Sequence, residues 1–268
     1  EIPYREFLSM IHIMSADILG KVDKASLSQQ SIMEMLIDRI VNKEAVYDAS
    51  EVTDSITRWR DVKVNAENEI IRIEWGSKFD LRGSINLQWI PLCVVSVSME
   101  YNEMSGTINL SVLPPNLKEL NLASNNFIGP IDLEHLPYDF QVLSLFTNKL
   151  NGTLDLEHLP NGCREILLYN NRFVGTVNLL HLPVALEKLH LNHNLLEGSV
   201  DLARLPDRLA SLHLQSNGFY GETDFSQIPD SLNQLVLAHT NISGEIHLYE
   251  KKYNFWSGNS NVIIHRHY

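Results

Sequence analysis

The chain has 268 residues, 44% of them hydrophobic, and its formal net charge at pH 7 is −12. A chain of this length and composition can bury a sizeable core. The acidic balance argues against nucleic acid and anionic membrane surfaces as partners, because both select basic patches. No apolar run approaches the ~18 residues needed to span a bilayer, so the sequence predicts no membrane-spanning segment.

Residues 1–66 have the pattern of a small helical region. Residues 4–19 place apolar side chains at helical spacing, and a second helix is predicted from Ser31, with Glu34 completing a capping box. A third, weaker helical pattern is formed by Val52, Ile56 and Trp59. We interpret residues 1–66 as an N-terminal helical cap that covers the start of the next region of the chain. An independent interaction module is the alternative.

A repeat of 23 residues occupies the middle of the chain. Proline recurs at this interval at Pro91, Pro114, Pro137, Pro160, Pro183, Pro206 and Pro229. Fifteen places after each proline stands a glycine: Gly106, Gly129, Gly152, Gly175, Gly198, Gly221 and Gly244. Eleven places after it stands Asn102, Asn125, Asn148, Asn171, Asn194 or Asn217, and in the seventh unit Thr240. Three interleaved columns of this length predict a solenoid.

Each unit has the chemistry of one turn of a coil. Leu117, Leu120 and Leu122 form an L-x-x-L-x-L run whose alternation predicts a short strand six to eight places after each proline. The asparagine follows where the chain turns, and its amide can bond backbone groups left unpaired there. Glycine suits a bend that needs positive φ. The later Gly-x-Ile-Asp-Leu segment is predicted to be a short strand or extended turn, away from the first sheet.

The pattern L-x-x-L-x-L-x-x-N resembles the leucine-rich repeat, and the second segment resembles that of plant-type and protist repeat proteins. The resemblance covers residues 67–248 as about eight turns, the first of them degenerate at Ile71, Ile73 and Trp75. It implies an α/β leucine-rich-repeat solenoid: a curved right-handed coil with a parallel concave sheet, a largely non-helical convex side and the N-terminal helical cap. The family implies recognition in receptors, adaptors and scaffolds.

After Leu248 the periodicity ends, and residues 249–268 form a C-terminal cap in our interpretation. A final strand and loop closing the open end of the coil is the favoured structure. The aromatic residues of this segment could instead form a docking surface: Tyr253, Phe255 and Trp256.

The sequence contains no catalytic motif and no cysteine ligand cluster, so neither an enzyme nor a cofactor is predicted. Cys93 and Cys163 lie three repeats apart and are too distant to pair within a regular coil. Cys163 occupies a core column, where it acts as a small buried hydrophobe.

Several histidines share columns of the repeat. One column is His135, His158 and His181, and others are His190 with His213 and His193 with His239. Adjacent turns bring such side chains about 5 Å apart, within reach of a shared metal ion. Duplication of surface residues produces the same ladders without any chemistry, so we interpret the columns as polar stacks and predict no metal site.

The concave face is where function is expected. Its outward positions lie five, seven and nine places after each proline, and the middle units place an exposed apolar and aromatic patch beside hydrogen-bonding side chains, a combination typical of protein-binding surfaces. The candidate binding residues are Val142, Phe146, Leu167, Tyr169, His190, Asn192, His213 and Gln215.

The sequence therefore predicts a non-enzymatic module that binds a protein partner, with no small-molecule substrate evident. The first alternative is a structural scaffold in which the repeats are a spacer and the termini are joints. The second is a fragment of a larger receptor or enzyme, since the chain begins at Glu1 rather than methionine. Three glycosylation sequons, at Asn109, Asn151 and Asn241, favour a secreted or cell-surface location, and an intracellular adaptor is the alternative.

Overall fold

The computed structural model describes residues 23–47, 59–77, 79–248 and 254–267. The helix predicted over 4–19 lies outside these residues, as do Val52 and Ile56 of the third predicted helix. Trp59, the last residue of that pattern, is described: it lies in an antiparallel bridge with Tyr47.

The N-terminal region contributes the α-helix Gln29–Ile37, with 3₁₀ turns at Lys24–Ser26 and Lys43–Ala45. The N-cap is Ser28, whose hydroxyl accepts a hydrogen bond from the Ser31 backbone N–H at 3.1 Å. The helix therefore begins before the predicted start at Ser31. One face of the helix is buried in the same core as the repeats, through Ile32, Met33, Leu36 and Ile37.

The first sheet has ten strands within the described residues, with the strands of successive turns paired side by side. Its strands are Val62–Val64, Ile70–Glu74, Ser96–Ser98, Glu119–Asn121, Val142–Ser144, Glu165–Leu167, Lys188–His190, Ser211–His213, Gln234–Val236 and Asn254–Trp256. All neighbours are parallel except the first pair, which is antiparallel. The predicted parallel sheet of one short strand per unit is confirmed.

Each repeat strand begins one residue earlier than predicted. In the second repeat the prediction was 120–122, and the structure has Glu119–Asn121. The hydrogen-bond ladder nevertheless reaches the predicted end, because the Leu122 N–H donates to the Ser144 carbonyl at 2.9 Å. The core leucines keep a single register, with Leu120 opposite Leu143.

A second sheet runs beside the first and has nine strands in the described part of the chain. Its strands are Arg82–Gly83, Glu103–Thr107, Asn126–Gly129, Lys149–Gly152, Arg172–Gly175, Leu195–Gly198, Gly218–Glu222, Asn241–Leu248 and Asn261–Arg266. Most repeat strands end at the column glycine, whose φ is positive, rather than starting there. The Ile-Asp-Leu residues follow as irregular extended chain. No helix occurs over 129–136 or 152–159, as predicted.

The asparagine column bonds the backbone at every turn. Asn171 is typical: its Oδ1 accepts from the Leu150 N–H at 3.1 Å, and its Nδ2 donates to the Leu145 and Leu168 carbonyls at 3.0 and 3.1 Å. One side chain thereby bonds two successive turns, because Leu145 and Leu150 belong to the unit before that of Asn171. The predicted role of this column is confirmed.

A continuous hydrophobic core extends from Ile32 to Phe255. Cys93 and Cys163 are both free, as predicted, and burial raises the pKa of the Cys163 thiol to about 12. The division of the chain at residues 66 and 248 stays a prediction. Among the described residues, no helix combines the length and apolar character that a membrane crossing requires.

Candidate functional site

The candidate site lies on the outward face of the first sheet, where side chains alternate with those of the core. Parallel pairing fixes which residues meet: Leu167 lies between Ser144 and His190, and His190 lies next to His213. Val142 instead lies between Glu119 and Glu165, so its lateral neighbours carry carboxylates. The eight candidate residues thus share one face, with Val142 at its acidic side.

Four rings form a continuous row across four turns, and we call this row the ring ladder: Phe146, Tyr169, His190 and His213. Phe146 and Tyr169 stack with centroids 4.5 Å apart and planes 5° from parallel. Tyr169 meets His190 at 6.3 Å with a tilt of 56°, and His190 stacks on His213 at 3.9 Å. Side chains packed in this way are restricted before any ligand arrives, which lowers the entropic cost of binding.

The candidate residues are less exposed than the sequence suggests. Phe146, Tyr169, His190 and His213 are partly buried, and Asn192 is buried with 7% of its surface accessible. The patch is therefore less exposed than predicted. Side chains in the neighbouring turns, about 5 Å away, cover much of each residue. What remains accessible is a shallow ribbon of ring edges and faces.

Burial keeps the two ladder histidines uncharged at neutral pH. It lowers the pKa of His190 to about 4, with smaller contributions from His213 and Lys188. Burial also lowers the pKa of His213, and a hydrogen bond with Gln234 opposes that shift. Burial, and then Tyr101, raises the pKa of the Tyr169 phenol. The ring ladder is thus neutral at physiological pH.

A hydrogen-bonded chain that the sequence did not suggest orients His190. Its Nε2 lies 2.8 Å from the Ser211 hydroxyl, and that hydroxyl donates to Gln234 Oε1 at 3.1 Å. Since Ser211 gives its proton to Gln234, it accepts the Nε2–H of His190. Ser211 and Gln234 stand five places after their prolines, a column visible in the sequence, but their partners depend on side-chain rotamers.

Two buried side-chain oxygens of the face receive no hydrogen bond from the described part of the chain. They are Asn192 Oδ1 and Gln215 Oε1, in the column that continues from Phe146 and Tyr169. Buried polar atoms are nearly always paired, and leaving one unpaired costs about 1–3 kcal/mol. The two oxygens are therefore unused acceptors, and either amide would have to rotate to bring its oxygen to a donor from outside the chain. The sequence named both residues but gave no sign that their oxygens were unpaired.

The histidine column on the other side of the repeat is built differently. His135 Nδ1 lies 2.7 Å from Asp132 Oδ2, and His158 Nδ1 lies 2.9 Å from Asp155 Oδ2. His181 lies 3.4 Å from a carboxylate oxygen of Glu157. These exposed histidines thus contact acidic neighbours and do not form a ring stack comparable to the ring ladder.

Comparison with known proteins gives similarity in structure rather than in sequence. No family model matches the chain, and neither does any curated protein. Among solved structures, the chain is similar to a plant ice-binding protein, with a TM-score of 0.61 and 20% identity, over 87% of this chain and 86% of that one. It is also similar to the PEPR1-AtPEP1 structure, with a TM-score of 0.53 and 18% identity. That match covers 88% of this chain and 42% of the other.

A third similar structure is the leucine-rich-repeat ectodomain of the Arabidopsis thaliana membrane receptor kinase GASSHO1/SCHENGEN3, in complex with CASPARIAN STRIP INTEGRITY FACTOR 2. Its TM-score is 0.55 and its identity 21%, over 68% of this chain. The match spans 23% of the length of that ectodomain. Together with the two parallel sheets and the asparagine column, these similarities establish the leucine-rich-repeat solenoid fold.

Proposed function

We propose that this chain is a non-enzymatic recognition module that binds a protein or peptide segment along the outward face of its first sheet. The observation that carries the proposal is the ring ladder of Phe146, Tyr169, His190 and His213, continued by the unpaired oxygens of Asn192 and Gln215. Stacked rings supply a rigid apolar surface, and rotation of the Asn192 or Gln215 amide would let its oxygen accept a hydrogen bond from a partner. The full proposed contact surface is Val142, Phe146, Leu167, Tyr169, His190, Asn192, His213 and Gln215.

The partner expected from this chemistry is an extended segment with backbone N–H groups to donate and one or two apolar side chains. Aromatic anchors flanked by polar groups dominate the energetics of most protein interfaces. The GASSHO1/SCHENGEN3 ectodomain in complex with its factor supports a binding role for this fold. The ice-binding neighbour has the same fold, so the fold alone does not choose the ligand. The ring ladder favours a peptide.

The test is a selection against the purified chain from a displayed library of random peptides, followed by calorimetric titration of the enriched peptides. Phe146→Ser with Tyr169→Ser should weaken binding by more than about 2 kcal/mol, or about 30-fold in Kd. Both rings lie outside the buried core columns, so the thermal unfolding midpoint should barely change. The matched control changes three histidines on the other side of the repeat to Gln: His135, His158 and His181.

The scaffold alternative makes the opposite prediction. If the termini are joints, selected peptides bind the Phe146/Tyr169 double variant normally, while deletion of residues 1–66 or 249–268 abolishes binding. Binding that survives in the double variant and is lost in the three-histidine control would also overturn the proposal, because it would move the contact surface to the other side of the repeat.

A further inference from the structure

The two outermost described strands of the second sheet bring three histidines and a glutamate together. Strands Asn241–Leu248 and Asn261–Arg266 pair in parallel, with His247 directly opposite His265. Strand alternation puts Glu245 on the same face as His247, and His267 follows His265 by two residues. Within the residues that the structure describes, no other turn of the repeat has this set, and the cluster lies away from the ring ladder, which belongs to the first sheet.

The ligand atoms of this cluster are already close to one another. His265 Nε2 lies 3.2 Å from Glu245 Oε2, and His247 Nδ1 lies 3.1 Å from His267 Nε2. Ligand atoms of Glu245, His247 and His265 all lie within 4.8 Å of one another. Two ligands on a tetrahedral zinc ion, with bonds of about 2.0–2.1 Å, are separated by roughly 3.3 Å. Small rotations of exposed side chains would therefore complete a coordination shell.

We propose that Glu245, His247, His265 and His267 form a binding site for a divalent transition-metal ion of the zinc class. Three imidazoles and one carboxylate match the ligands of tetrahedral zinc, whereas magnesium and calcium prefer oxygen ligands alone. The Glu245 carboxylate supplies negative charge to the site. The parallel ladder below it fixes the spacing of His247 and His265.

A bound ion would join the outermost described strand to its neighbour. The ladder between them has six residue pairs, from Ser243 with Asn261 to Leu248 with Arg266. Glu245 and His247 would bind the ion from one strand, and His265 and His267 would bind it from the other strand and the residue after it. Unfolding would have to break these metal bonds. Metal binding of this kind stabilises the folded state by mass action. We therefore expect the ion to act as a clamp on this end of the second sheet.

A second cluster provides a matched control for the experiment. Asp132, Glu134 and His135 also bring three ligand atoms together, and all three residues are exposed. That cluster has one imidazole and two carboxylates within a single turn, a poorer set for zinc. The variant Asp132→Asn with His135→Gln should leave the tight zinc site unchanged.

The experiment titrates Zn²⁺ into the metal-free chain in competition with a chromophoric chelator. The wild type should bind one equivalent tightly, and His247→Gln with His265→Gln should weaken that site at least about 100-fold. The single variant His267→Gln should weaken zinc binding at least about tenfold. This variant still tests the proposal if the double variant folds poorly. Cobalt substituted for zinc should show the intense visible bands of four-coordinate Co²⁺.

Amide hydrogen exchange tests whether the ion holds the two strands together. Zinc should slow amide hydrogen exchange in Asn241–Leu248 and Asn261–Arg266, with no effect near the control cluster. An unchanged affinity in both the double and the single histidine variants would overturn the proposal, as would a six-coordinate cobalt spectrum. Loss of tight binding in the Asp132/His135 variant alone would place the ion at the other cluster and would equally overturn it.

Discussion

His190 is kept uncharged by the packing that forms the ring ladder. Its imidazole stacks on His213 at 3.9 Å, and protonation would place a positive charge between a second imidazole and Lys188. Burial, with smaller contributions from His213 and Lys188, lowers the pKa of His190 to about 4, against 6.5 for an unperturbed histidine. The unfolded chain therefore binds a proton at this residue at a higher pH than the folded chain does.

This difference sets the sign of a pH dependence. Between about pH 6.5 and pH 4 the unfolded state carries the proton and the native state does not, so the free energy of unfolding falls as the pH falls through this range. Because His190 is partly exposed and solvent screens its charge, we expect a loss of about 1–2 kcal/mol. Urea unfolding at several pH values should show it, and the variant His190→Gln should lack it. A wild-type minus variant difference that is constant from pH 7.5 to 4.5 would refute the argument.

For single residues, the sequence predicted the roles that depend on residue type but not those that depend on backbone conformation. The asparagine column was predictable because an amide accepts a hydrogen bond at its oxygen and can donate two from its nitrogen at one bend. The residue before each asparagine of the column, and before Thr240 in the seventh unit, has φ between 52° and 55°, although glycine occupies none of these positions: Tyr101, Ser124, Thr147, Asn170, His193, Ser216 and His239. Left-handed backbone is uncommon for most of these types, so periodicity alone could not predict it.

Among the structural elements, the bend at the column glycine is sensitive to the addition of a single methyl group. Gly198 has φ of 95°, and a Cβ there would lie 2.7 Å from Thr176 Cγ2 in the preceding turn. Left-handed backbone costs an L-residue roughly 1–2 kcal/mol, and the contact adds to that cost. The glycine thus permits both the bend and the close approach of neighbouring turns.

We expect Gly198→Ala to lower the free energy of unfolding by about 2 kcal/mol or more. Gly162 provides the matched control, since its φ is not in the left-handed region and a Cβ there would lie 3.8 Å from the nearest atom, the Phe140 carbonyl oxygen. Gly162→Ala should be neutral or stabilising by up to ~1 kcal/mol. Chemical denaturation of both variants measures the difference, and equal stabilities would disprove this explanation of the glycine column.

Element types were predictable along the repeats, whereas element limits were not. The alternation of leucines predicted the strands of the first sheet, but the hydrogen bonds begin each strand one residue earlier than that pattern indicates. The strands of the second sheet begin in the segment between the asparagine and the glycine. That segment has a single buried apolar position in each unit, such as Phe127 or Leu150, and one such position gives no alternation that would predict a strand. At the N-terminus the capping box of Ser31 and Glu34 predicted one start for the helix, whereas the structure has Ser28 as the N-cap.

For the molecule as a whole, the solenoid is a one-dimensional stack in which each turn contacts only its neighbours. The sequence predicted this architecture because the repeat spacing is uniform through seven units. The candidate site was predictable as a face, since alternation fixes which side chains point outward. Its chemistry was not, because the stacking of four rings and the unpaired amide oxygens arise from rotamers in adjacent turns.

The asparagine column changes at the C-terminal end of the stack, and this change should set a gradient of local stability. Asn217 Nδ2 donates to the Leu191 and Leu214 carbonyls, both at 3.0 Å, so it bonds the preceding turn as well as its own. Thr240 has a single proton to donate, and its hydroxyl donates it to the Leu237 carbonyl of its own turn at 2.7 Å. The side-chain bond between turns that Asn217 provides is therefore missing at Thr240.

We expect amide hydrogen exchange to be faster over residues 235–245 than over 143–170, because local opening at 235–245 breaks fewer bonds between turns. Thr240→Asn separates this cause from simple proximity to the end of the stack. If the side-chain bond is responsible, the variant slows exchange over 235–245 and leaves 143–170 unchanged. Exchange in the wild type that is slower over 235–245 than over 143–170 would show that the strand ladder from Asn241 to Leu248, rather than the asparagine column, controls stability at this end.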